Sequence, residues 1–128
     1  MDKNAARETY QLGVDQMGMN QLDAAIGSLG LAILRDPDFA EAYLARGIGF
    51  MRKESYRQAI DDFDRADELA PGLQNLYALR GNAWRALGNL EKAAENYGLA
   101  VAEYPDNEMY RMTRAEIIEE MGRLGGGG

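Results

Sequence analysis

An all-α fold, a short α-solenoid of antiparallel helix pairs, is what this sequence predicts, and three observations predict it. Gly13, Gly47 and Gly81 stand 34 residues apart, as do Ala25, Ala59 and Ala93, then Ala32, Ala66 and Ala100, then Pro37, Pro71 and Pro105. A period of this length belongs to stacked helix–turn–helix units. Within each period the apolar residues recur at helical spacing, and no stretch reads as a strand. Arrays of this kind work by offering a surface to a partner.

Helices are expected near residues 3–18, 22–35, 39–52, 56–69, 73–87, 90–103 and 107–121. In the first period Leu12, Gly13, Ala25, Leu29, Ala32 and Pro37 hold the pattern, while Thr9 and Gln16 stand where aromatics stand later. Asn20 takes the turn position, and Asn tolerates a left-handed backbone. The second period is the cleanest. Tyr43, Gly47 and Phe50 share one face of its first helix; Ala59, Phe63 and Ala66 share one face of its second. Glu54-Ser55 breaks the pattern between them, and Pro71-Gly72 ends the second helix, because Pro cannot continue it. A short turn between two helices makes them antiparallel. The third period repeats this with Tyr77, Gly81, Trp84, Gly88, Ala93, Tyr97, Ala100 and Pro105. Glycine inside a helix costs about 0.5–1 kcal/mol relative to Ala. Its recurrence at 13, 47 and 81 therefore predicts close approach of helix axes, toward the lower end of ~8–10 Å. Gly30 and Gly98 weaken their helices, and close packing is the reason expected for them. In the last segment Arg114 follows Arg80 and Arg46, Ala115 follows Gly81, and Gly122 follows Gly88. The segment reads as a capping helix. Gly125–Gly128 read as a tail or linker outside the fold.

Composition narrows the function. The chain of 128 residues is 46% hydrophobic, enough for one domain with a core. No apolar run approaches the ~18 residues of a spanning helix, and the polar start is not a secretory signal; a cytoplasmic location is the default and no membrane partner is expected. A net charge of −7 disfavours nucleic-acid binding. There is no Cys and no His, and Ser28 and Ser55 are the only serines. No nucleophile has a base to activate it, so neither an enzyme nor a cofactor is expected. Asp61, Asp62, Asp64, Asp67 and Glu68 form the densest charge run. One helix cannot wrap them around an ion, so they read as a solvated outer face and not as a metal site.

The small residues, aromatics and prolines fall at the positions of the tetratricopeptide repeat family, which the chain resembles over residues 6–107. The resemblance implies a single domain over 1–124, with repeats 6–39, 40–73 and 74–107 and a capping helix 108–124. It also implies a right-handed superhelix whose concave groove, lined by the first helix of each repeat, binds a peptide or protein. The groove offsets hold Tyr10, Val14 and Met17, then Leu44, Ile48 and Met51. The third repeat offers Ala78, Asn82 and Arg85, and the last helix Met112, Glu116 and Glu119. The groove is thus expected to be apolar in its N-terminal half, polar in the middle and acidic at its end, with Arg7, Arg52 and Asn75 in or around it. The occupant expected is a peptide or helix that is at least partly apolar. The structural alternative is that the second stripe packs against a neighbouring helix. Members that grip a terminal carboxylate place Lys, Asn and Arg where this chain has Tyr10, Val14, Ala45, Asn75 and Leu79, so that clamp is absent. A second functional reading is a designed or excised scaffold without a natural ligand, self-associating through its ends. On that reading Ala115, Ile118 and Met121 lie exposed and give a weak two-fold homodimer.

Overall fold

The computed structural model describes residues 2–126. It contains seven helices and no strand among these residues: α1 Lys3–Gly18, α2 Leu22–Arg35, α3 Ala40–Arg52, α4 Tyr56–Leu69, α5 Leu76–Ala86, α6 Leu90–Glu103 and α7 Glu108–Gly126. The fold is all-α and of the helical-repeat class. The chain divides into two compact units. The first runs up to Leu73 and holds α1–α4; the second starts at Gln74 and holds α5–α7. In the first unit α1 packs on α2, α2 on α3 and α3 on α4; in the second α5 packs on α6 and α6 on α7.

The periodic glycines are the contact points. A Cβ on Gly13 would stand 2.7 Å from Leu29 Cγ, one on Gly47 2.6 Å from Phe63 Cε1, and one on Gly81 2.8 Å from Tyr97 Cδ2. The space of one missing methyl is filled by the large residue sixteen positions on. Leu29, Phe63 and Tyr97 are all buried, flanked in sequence by buried Ala25 and Ala32, Ala59 and Ala66, and Ala93 and Ala100. Gly30 and Gly98 are not close-packing points of this kind: a Cβ on Gly30 would make ordinary contact with an Arg46 guanidinium nitrogen at 3.5 Å, and one on Gly98 with Arg114 Nε at 3.6 Å.

Three turns share one geometry. Asn20, Glu54 and Gly88 have φ of 60°, 60° and 83°. The N–H of the following residue reaches back to the helix: Gln21 to the Gln16 carbonyl (2.9 Å), Ser55 to that of Phe50 (2.8 Å), Asn89 to that of Trp84 (2.9 Å). A left-handed residue after the last turn with this six-residue closure is the Schellman motif.

Two boundaries differ from the sequence reading. Helix α5 starts at Leu76 and not at 73, because Gly72 (φ 79°) and Asn75 (φ 67°) are both left-handed and neither conformation continues a helix. Helix α7 runs through Gly125 to Gly126 and does not end near 121. Gly122 stands at the register of the turn residue Gly88 but remains helical, no proline follows, and each added residue gains a backbone bond. Gly125 and Gly126 thus belong to the helix; Gly127 and Gly128 lie outside the described residues.

Candidate functional site

In the first unit, α1 and α3 bound a cleft of about 410 Å³. Its walls are Tyr10, Val14 and Met17 from α1, and Leu44, Ala45 and Ile48 from α3. Tyr10, Val14, Leu44 and Ile48 are half-buried, so their packing is incomplete and apolar surface remains open. These residues lie one position along from Gly13 and Gly47, a rotation of about 100° around the helix. That rotation separates the open stripe from the packed one.

Met17 has a double role. It lines the cleft, yet it is only 8% exposed. A Cβ on Gly49 would lie 3.3 Å from its sulfur and 3.1 Å from Ile26 Cγ1, so Met17 also packs where α3 approaches. Met51 is half-buried and does not line the cleft. The charged rim comes from α3. Glu41 stands at its first turn and Arg52 at its last residue, beside Gly18 at the end of α1. The Arg52 guanidinium donates to the Met17 carbonyl at 3.1 Å, which ties the ends of α1 and α3 together. The Tyr10 ring lies 4.9 Å from that of Phe39, and Arg7 stands over Phe39 at 5.3 Å. Burial pushes the Tyr10 phenol above its ordinary value, with Glu41 adding to the rise and Arg7 opposing it.

The second unit carries different chemistry at the matching offsets. Ala78 is buried in the core cluster and leaves the surface. Asn82 is exposed, and its Oδ1 accepts from the Tyr97 hydroxyl. Asn75 is exposed, and its Oδ1 accepts from the Tyr110 hydroxyl. Arg85 Nε meets a Glu120 carboxylate oxygen at 3.5 Å, an ion pair without hydrogen-bond geometry. On α7, Met109, Met112 and Glu116 border a shallow cleft with Glu108 and Thr113, and Glu119 pairs with Arg123 at 3.1 Å.

The C-terminal residues separate. Ala115 and Ile118 are exposed, Ile118 at 46%. Met121 is not on that open face; it is half-buried and packs against the core of the second unit. Fully buried Ile117 anchors α7 there, and sequence reasoning missed it. The signal was the register: 117 falls one period after Ala83, itself buried.

The acidic run also needs correction. Asp62 is not solvated but 4% exposed. It accepts two hydrogen bonds from Arg46, at 2.9 and 2.8 Å. Burial pushes its carboxyl above the ordinary range, against the pull of Arg46. One period on, Arg80 donates to Asn96 at 2.7 Å in the same relation. The period of Arg46, Arg80 and Arg114 could have disclosed this pairing. Among the described residues no group of three or more His, Cys, Asp or Glu is placed to hold a metal ion, and no helix is long and apolar enough to cross a membrane.

A model of the tetratricopeptide repeat family matches residues 10–73. The chain belongs to the tetratricopeptide repeat family, whose fold is one of protein interaction. Human tetratricopeptide repeat protein 6 is 27% identical over 107 residues, which cover 81% of this chain but only 21% of that protein. Among solved structures, the first such domain of Spaghetti (RPAP3), bound to the HSP90 peptide SRMEEVD, superposes with a TM-score of 0.91 at 22% identity. That match covers 95% of this chain and 97% of that one. MamA gives 0.89 at 26% identity, covering 94% and 71%. The Arabidopsis OM64 domain gives 0.87 at 20%, covering 92% and 98%.

Proposed function

We propose that this chain is a peptide-binding interaction module, with a binding and not a catalytic role. It is built as repeats 6–39, 40–73 and 74–107 with a cap over 108–124. Its first unit holds an at least partly apolar peptide or helix between α1 and α3. The observation that carries this is the cleft: Tyr10, Val14, Leu44 and Ile48 keep open apolar surface although a separate stripe on the same helices already makes the core. Exposed apolar patches of this kind mark interaction sites, and the methionine in the wall suits an adaptable surface. The structural relatives agree in kind, since RPAP3 domains hold HSP90 and HSP70 peptides. Those peptides end in EEVD. Here Tyr10, Val14, Ala45, Asn75 and Leu79 supply no cation to a terminal carboxylate, so the occupant proposed is held through its apolar side chains and not by its terminal carboxylate.

A peptide-library screen of the chain against Leu44→Glu tests this. The substitution should abolish capture of apolar peptides at unchanged helicity by circular dichroism. Equal capture by both proteins would remove the cleft as the site. Met51→Glu, outside the cleft, serves as the comparison and should retain capture.

A second reading is carried by Ile118, half exposed on α7 at the position of Phe50 and Trp84. Burial of apolar surface is worth about 25 cal/mol per Å², which favours weak two-fold pairing of two copies through Ala115 and Ile118. Sedimentation across concentrations decides it: a strict monomer, unchanged by Ile118→Glu, sinks this reading.

A further inference from the structure

The arginines of the period share one seat but not one partner. Arg46, on α3, stands beside Gly30 of α2, and its guanidinium donates two hydrogen bonds to Asp62 of α4. Arg80, one period on, donates to Asn96 of α6. In both cases the acceptor lies on the following helix, sixteen residues further along. Arg114, on α7, stands beside Gly98 of α6 as Arg46 stands beside Gly30. It is exposed, and its guanidinium has no acid, amide or ring partner among the described residues.

Around Arg114 the face of α7 follows that of α3 with changes that bear on an occupant. Ile118 stands at the position of Phe50, Ala115 at that of Gly47 and Arg111 at that of Tyr43. All of these α7 residues are exposed, and the Arg111 side chain also has no partner among the described residues. The chain has a net charge of −7, yet this face presents two uncompensated cations beside an isoleucine. Charge complementarity calls for an acidic helix. Ala115 adds a steric condition. A Cβ on Gly47 would stand 2.6 Å from Phe63, one on Gly13 2.7 Å from Leu29 and one on Gly81 2.8 Å from Tyr97. Ala115 carries that Cβ, so a helix in the same seat has no room for a large residue after its acid, whereas alanine fits. The second helices of this chain place Leu29, Phe63 and Tyr97 there, so none of them, offered by a second copy, meets the condition.

We propose that this face of α7 docks an acidic amphipathic helix of a partner protein in the seat that α4 has on α3, with a carboxylate on Arg114 and an alanine, the next residue, against Ala115. Ile118 supplies the apolar contact, and Arg111 attracts the acidic helix at longer range. The inference does not rest on the apolar cleft, and it gives this face a different occupant from the two-fold pairing.

The probe is the α4 sequence, Tyr56–Leu69, as a separate acetylated and amidated peptide with Phe63→Ala, which keeps Asp62 and follows it with a small residue. A free helix of this length is marginal in water, so binding to the ¹⁵N-labelled full chain is read by NMR at millimolar peptide. The backbone amides of Ala115 and Ile118 and the Arg114 Nε–H signal should shift together, while the amides of Leu44 and Ile48 stay. The parent peptide, with Phe63, should bind about ten-fold more weakly through overpacking, and Ala115→Gly in the chain should reverse that preference. Arg114→Gln in the chain and Asp62→Asn in the peptide should each weaken binding about ten-fold, and no further when combined, as for a direct charge pair. Arg114 is exposed, so its variant carries the test if Ala115→Gly disturbs α7. Unmoved α7 signals, equal binding of the two peptides, or additive losses from the two charge variants overturn the proposal. Shifts at Leu44 and Ile48 alone overturn it and support the cleft reading. Shifts on α7 that persist in Leu44→Glu support it even if the cleft reading fails. Shifts on α7 that follow chain concentration and are not displaced by the peptide assign the face to a second copy and overturn it.

Discussion

In the first unit the Phe63 ring fills the space left by Gly47, and the next residue on α3 is Ile48. In the second unit, one period on, the Tyr97 ring fills the space left by Gly81, and the next residue on α5 is Asn82. The packing geometry is the same to within tenths of an ångström. The chemistry presented beside it is not: open apolar surface in one unit, a hydrogen-bonded carboxamide in the other. The small residue and the ring are fixed by sterics, because a close-packed contact has no slack. The tip of the ring and the neighbouring residue are free to change, provided they change together. A repeat can therefore keep its fold and alter what it binds.

The largest test of the shared rule removes a ring. Phe63→Ala should lower the unfolding free energy by about 3–5 kcal/mol, as truncation of a buried aromatic does, read from urea denaturation. A loss below about 1 kcal/mol would mean that the first unit tolerates a void where Gly47 stands.

The next test fills the space instead. Gly47→Ala and Gly81→Ala should each destabilise by about 1–3 kcal/mol through overpacking, which outweighs the 0.5–1 kcal/mol that alanine gains in a helix. Stabilisation by Gly81→Ala alone would show that Tyr97 has room to retreat where Phe63 does not, and the two contacts would no longer be equivalent.

The fold was readable because the small residues act through sterics that repeat with the chain. The late start of α5 was not, because it depends on the backbone of Asn75, a residue equally at home in a cap or a turn. The cleft residues Tyr10, Val14, Leu44 and Ile48 were visible as a second stripe, since α1 and α3 use the same offsets. Asp62 was misread because helical spacing alone places it among outward acids. Its burial is set by Arg46 on another helix, whose bidentate bonds make a buried carboxylate tolerable. Ile117 and Ile118 differ by one step of about 100°; the reading took Ile118 as exposed and passed over Ile117, the residue that anchors α7. The link from Asn82 to Tyr97 needs tertiary contact, although their joint replacement of Ile48 and Phe63 was on view.

A smaller effect separates the two rings chemically. Tyr97→Phe should cost about 0.5–1.5 kcal/mol, the net value of one hydrogen bond. Burial raises the folded Tyr97 phenol above its usual value, and Asn82 opposes that rise. A folded value above the unfolded one means that stability is fully present below the unfolded value of ~10 and is lost as pH rises through the folded one. The unfolding free energy should therefore fall more steeply above that pH in the parent chain than in Tyr97→Phe. Parallel curves would show that the hydroxyl is solvated in the folded state, and the contrast with Phe63 would shrink to one of size.

The smallest effect lies at the turns. Asn20, Glu54 and Gly88 share a left-handed backbone, but only glycine adopts it without a steric cost. An ordinary L-residue there loses roughly 1–2 kcal/mol; asparagine recovers part through its short polar side chain, and glutamate has none. Glycine in turn loses more conformational freedom on folding, worth about 0.5–1 kcal/mol. The difference leaves a gain of about 0.5 kcal/mol for Glu54→Gly. The reciprocal Gly88→Glu should lose a similar amount, because nothing stands within 4 Å of a Cβ at Gly88 and the cost is confined to the backbone. Thermal denaturation of the two variants should move in opposite directions. If Glu54→Gly lowers the midpoint instead, the Glu54 side chain contributes more to the α3–α4 turn than its backbone strain removes, and the three turns are not interchangeable.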